Sequence, residues 1–277
     1  MSLGGRLLRG LAIAAGALLL TFILIAARFP WDRLAPTVSA QATEASGVPI
    51  EIGGFEFSFG KLGVSLLATD VHIGWPDATG LDFPRVAARP AFTLDWFSGN
   101  PALRVLTENG PANFNGVVTR ERAEGRLAVP EAEALPWRQD APVAGAFRAK
   151  LALRFGQDEA SGTQVLGDVD VTGSDGSIFP PGIPVAIPFD LLDATLAFTP
   201  TGLELSPLHV DGPMVSGSVT GTLQPRSGNW ERAGLDLTVV IDRVDRGLSG
   251  MLAGTGVDLT PGRQFAIRGT AAAPVVR

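Results

Sequence analysis

The sequence has no cysteine, which excludes a disulfide framework, a thiolate metal site and a cysteine nucleophile. It has two lysines, Lys61 and Lys150, and two histidines, His72 and His209. Charged residues make up 18% of the chain, against the ~25% usual for globular proteins. Formal net charge is −6 over 277 residues, and the body beyond Arg6 and Arg9 stands near −8, with 20 basic residues against 28 acidic. Affinity for nucleic acid rests largely on clustered basic side chains, so no nucleic-acid partner is expected. His-Glu-x-x-His, Gly-x-Ser-x-Gly and a phosphate-binding glycine loop are all missing from the chain.

What is present begins with an uncharged run of 18 residues, Gly10 to Ala27. As a helix it would be about 27 Å long, close to the ~30 Å of a bilayer's hydrocarbon core. Arg6, Arg9 and the terminal amine precede it, Arg28 and Arg33 follow it, and Phe29 and Trp31 stand where interfacial aromatics are expected. An Ala-x-Ala pattern at Ala40 and Ala42 lies too far beyond the run for ordinary signal-peptide cleavage. The expectation is a single-pass inner-membrane protein: a cytoplasmic tail at 1–9, a transmembrane helix at 10–27, a juxtamembrane linker at 28–49 and a periplasmic β-rich domain at 50–277. Within the linker, the stretch 32–49 also suits one short helix.

From Ile50 onward the dominant signal is period-two alternation, the mark of half-buried strands. Ile50 and Ile52 share a face, Gly53-Gly54 permits a bulge, and Phe55, Phe57 and Phe59 resume the stripe. Ala149, Leu151, Leu153 and Phe155 alternate with Arg148, Lys150 and Arg154. Val215, Val219 and Leu223, then Leu235, Leu237, Val239 and Ile241, repeat the pattern between polar neighbours. About 12 to 14 strands joined by Gly, Pro and Asp turns are expected. Gly173 to Pro188 reads as a non-alternating Pro-rich crossover or hinge, and Val244 to Leu252 as one short helix. The predicted fold class is all-β: an N-terminal transmembrane helix, then an antiparallel, curled β-meander with an apolar concave face. A doubly wound α/β body is excluded, because that needs a helical pattern between successive strands.

Chemistry-bearing constellations are sparse. His72 and His209 fall at polar alternate positions of strands and read as surface histidines. Asp168, Asp170 and Asp175 superficially resemble a calcium loop, but Thr172 and Phe179 stand where an EF-hand needs ligands. No catalytic, cofactor-binding or metal-binding residue is assigned, and the protein is expected not to be an enzyme. The one candidate site is an apolar groove lined by Phe55, Phe57 and Phe59.

Three passages carry a family likeness: LLATDVHIGWPDATGLDFPRVAARPAF at 66–92, GPANFNGVV at 110–118 and TGLELSPLHVDGPMVSGSVTGTL at 201–223. With the ending FAIRGTAAAPVVR at 265–277, where Ala271 replaces the usual leucine, the chain resembles protein N of type II secretion systems (GspN). That family is itself similar to the AsmA-like proteins of bacterial envelopes. The resemblance implies a non-catalytic accessory of protein export, with the inner membrane and envelope or secretion-system proteins as partners. The AsmA-like side implies the alternative, binding or local transfer of phospholipid acyl chains in an apolar β-groove. No site residue is defined in the family, so none is carried over.

Overall fold

Alternating apolar and polar residues place successive side chains on opposite faces of a strand, and here they build one sheet. The computed structural model describes residues 33–46, 48–60, 63–75, 78–91, 99–135, 143–158, 162–178, 186–226, 229–252, 260–270 and 273–276. The strands are β1 (Ile50–Gly60), β2 (Gly63–Trp75), β3 (Ala78–Pro90), β4 (Leu103–Glu108), β5 (Asn113–Val118), β6 (Arg122–Val129) and β7 (Val143–Asp158). They continue as β8 (Gly162–Ile178), β9 (Ile187–Thr199), β10 (Gly202–Asp211), β11 (Val215–Arg226), β12 (Asn229–Val244), β13 (Gln264–Thr270) and β14 (Ala273–Val276). All 14 belong to one antiparallel sheet in strict chain order. β1 and β14 are not paired with each other, so the sheet is open.

Among the described residues two helices flank the strands: α1 (Ala35–Ser46) and α2 (Arg246–Leu252). α1 starts with Pro36 in its first turn, where a missing N–H costs nothing, and continues through alanine-rich sequence. It packs on β1, burying Ala35 to 2% exposure. Ser39 and Thr43, four residues apart and so on one helix face, accept the backbone N–H groups of Ile52 and Ile50 at 3.0 and 2.9 Å. The spacing matches: four helical residues rise ~6 Å and two strand residues ~6.6 Å. In α2, Asp245 caps the first turn by accepting the Gly247 N–H at 2.6 Å, and Leu248 is fully buried.

The principal buried cluster is Val71, Phe83, Ala112, Val129 and Ala132. It lies where β4 and β5, six residues each, leave room at one end of the sheet. The 109–112 turn fills that room, with Gly110 against the ring of Phe83. Thr107 holds the turn by donating to the Ala112 carbonyl at 2.9 Å and accepting the Phe114 N–H at 2.6 Å. A 3-10 turn at Ala132–Ala134 packs against β7 beside it.

Four expectations are corrected. The fold class is an open 14-strand antiparallel sheet, and the transmembrane helix placed before it finds no support among the described residues. Among the described residues no helix is long and apolar enough to cross a membrane. α1 has 12 residues and carries Gln41 and Glu44, and residues 10–27, assigned to the crossing, lie outside the described residues. The single-pass inner-membrane topology with a periplasmic body is therefore withdrawn, and with it the reading as an anchored accessory of type II secretion, which stood on that anchor. The stretch 173–188 is not a crossover either. β8 runs on to Ile178 and pairs directly with β9, through Gly176↔Phe189 and Ile178↔Ile187.

Candidate functional site

Register decides which side chains share a face. One row begins Phe57↔Leu66↔Ala88↔Val105↔Gly116↔Gly125↔Leu151. It continues Val169↔Leu196↔Leu205↔Gly221↔Leu237↔Ile267↔Val276. Fourteen positions, one from each strand, are all apolar or glycine. A second row, from Pro90 through Leu103, Val118, Ala123, Leu153, Gly167, Phe198, Leu203, Leu223, Leu235 and Gly269 to Pro274, is equally free of polar side chains. The opposite face carries Glu56, Arg126, Lys150, Asp170, Asp193 and Asp236.

Such a face is ordinarily covered by a second layer. Among the described residues α1 packs on β1 and the 3-10 turn on β7, and α2 buries Leu248 completely. In the first row Gly116, Val169 and Leu205 are buried, ten positions are half-buried, and only Val276 has no side chain described. Among the described residues, most of this apolar row is thus neither buried nor fully exposed.

It dips between β6 and β9. A depression of about 470 Å³ is lined there by Leu127, Val129, Leu135, Val143, Phe147, Arg148, Ala149, Leu151, Val169, Val171, Ile178 and Leu192. Eleven of those twelve residues are apolar, and the volume lies within the ~300–1,000 Å³ of small-molecule sites. One wall is stiffened by Phe147, whose ring centroid lies 5.9 Å from that of the almost fully buried Phe189. Gly173, opposite Phe147 in the register, leaves space for that ring; a Cβ there would meet Phe147 Cε1 at 2.7 Å.

The aromatic stripe singled out in the sequence lies elsewhere. Phe55 and Phe57 are half-buried on β1, opposite Ala68 and Leu66, and Phe59 pairs with Val64, its side chain outside those described. Phe55 and Phe57 belong to the same face as the depression but stand several strands away from it. Val129, Phe147, Val169 and Leu192 were missed as a site because nothing in their local patterns brings four separate strands together.

The polar groups do not converge on a reaction centre. His72 Nδ1 lies 2.7 Å from Asp82 Oδ1 on the outer face, and His209 is exposed there opposite Ser218. Asp168 and Asp170 are exposed on β8, Asp170 accepting from the Thr195 hydroxyl at 3.0 Å. Asp175 sits at φ +50° within the same strand. Among the described residues no three His, Asp or Glu side chains are grouped to hold a metal ion. No family model, no curated protein and no solved structure matches the chain.

Proposed function

We propose that this protein is a non-catalytic carrier that binds the acyl chains of a lipid along the apolar face of its sheet. The observation that carries the reading is the continuous apolar row from Leu66 to Ile267, which runs beside the β6–β9 depression. A flexible hydrocarbon chain fits a continuous strip that offers no polar partner. It gains ~0.8 kcal/mol for each methylene buried, without leaving any hydrogen-bonding group unsatisfied. Membership of the AsmA-like group, on the passages at 66–92, 110–118 and 201–223, forms part of the proposal, and phospholipid is the lipid class it names.

The test is photo-crosslinking of the full chain with a diazirine fatty acid, followed by mapping of the labelled peptides. Labels should fall on β6 to β9 around Leu151 and Val169. Ala149→Phe, which fills the depression without adding charge, should reduce them at least fivefold while leaving the circular dichroism unchanged. Labelling confined to residues 1–32, or undiminished by Ala149→Phe, would remove the reading.

A further inference from the structure

The opposite face of the same strands carries a feature that the acyl-chain reading neither uses nor depends on. In a chain of net charge −6, three pairs of like charges stand directly across from one another: Arg89↔Arg104, Arg126↔Lys150 and Arg122↔Arg154. Like charges placed directly opposite in a sheet are destabilising. Acidic residues occur on both halves of the sheet, among them Glu108 opposite Arg85 and Glu124 on β6, and Asp168, Asp170, Asp193 and Glu204 are exposed on β8 to β10. On later strands Asp211 pairs with Arg243 at 3.1 Å and Asp236 with Arg268 at 3.2 Å. On the basic half Arg122 reaches Glu124 at 3.6 Å. Asp170 stands opposite Lys150 in the register and accepts from the Thr195 hydroxyl at 3.0 Å. Among the described residues no carboxylate comes within ion-pair distance of Arg104, Arg126 or Lys150.

Those three cations come from three different strands and rim one depression of about 450 Å³. Its floor is the backbone of Gly116 and Gly125, directly opposite each other in β5 and β6. Their missing side chains would have pointed to the apolar face, towards Phe114. Asn115 adds an amide donor to the lining, and Glu124 is its one carboxylate. Arginine guanidinium groups present paired donors that match the oxygens of a phosphate, and lysine supplies a point charge beside them. We infer that this depression is a binding site for a phosphate-bearing anion, held by Arg104, Arg126 and Lys150. Its occupant offsets the repulsion between Arg126 and Lys150, which the register sets opposite each other.

Calorimetric titration of the full chain tests this with two probes: inorganic phosphate, and dihexanoylphosphatidate below its micellar concentration. Saturable binding is expected at low salt, weakening as ionic strength rises. The double variant Arg126→Gln/Lys150→Gln should bind at least tenfold more weakly while keeping the circular dichroism of the parent. Binding of phosphate alone identifies a soluble anion as the ligand, whereas tighter binding of the phosphatidate identifies a lipid headgroup. Ala149→Phe on the apolar face should leave phosphate binding unchanged, so the two readings fail separately. No saturable binding of either probe, or equal affinity in the double variant, would overturn the site.

Discussion

At the residue scale the sheet depends on positions where nothing but hydrogen fits. Gly167 on β8 has φ +122°, and a Cβ there would run into the carbonyl oxygen of Ala152 across the ladder. Both the backbone conformation and the close approach to β7 therefore require glycine. Gly156, on the partner strand, has no neighbouring atom within 4 Å of an added Cβ. Gly167→Ala should lower stability by ~1–3 kcal/mol, while Gly156→Ala should stay within ~0.5 kcal/mol. Urea midpoints of the two variants measured side by side check this; equal midpoints would mean that β7 and β8 are not so closely registered at Gly167.

At the element scale the edge of the sheet is managed by a helix. An exposed edge strand offers unpaired backbone groups to any other chain. α1 answers part of that hazard with two hydroxyls, Ser39 and Thr43, which take up the N–H groups of Ile52 and Ile50. Ser39→Ala with Thr43→Ala should cost ~1–3 kcal/mol for each N–H left unsatisfied. It should also raise the fraction of oligomer seen by light scattering, with no gain in aggregation if the latch does not close the edge. This element was hard to read in the sequence. Alanine, serine, threonine and proline at 35–46 carry no apolar stripe, and the face that matters is polar and meets a backbone. The strands were legible where side chains alternate without interruption, as from Ala149 to Phe155. The far end of β8 was not, because Asp175 at φ +50° and Gly176 packed against the ring of Phe189 break the alternation while pairing continues. The β6–β9 depression and the Arg104–Arg126–Lys150 rim had no local signal at all. Each gathers residues from strands well separated in sequence and exists only through register.

At the scale of the whole molecule, each strand pairs with its neighbours in the chain, and the sheet spans roughly 60 Å at ~4.8 Å per strand. Stability in such an array is close to a sum of neighbour terms. β7 and β8, 16 and 17 residues long, share an almost continuous ladder, whereas β13 and β14 have 7 and 4 residues. Amide hydrogen exchange should therefore be graded, slowest in β7 to β9 and faster towards β14, rather than uniform at one global value. A single cooperative exchange rate for all strands would contradict it.

That nearest-neighbour order also sets how such a molecule can change over generations. No strand waits for a mate encoded far away, and no barrel must close, so a hairpin can be gained or lost without redesigning the remainder. Because the apolar row adds one position with every strand, each hairpin inserted would lengthen the greasy lane by two positions, ~9.6 Å. The reach of the lane is thus written in the number of hairpins, and the chain can adjust it in whole steps.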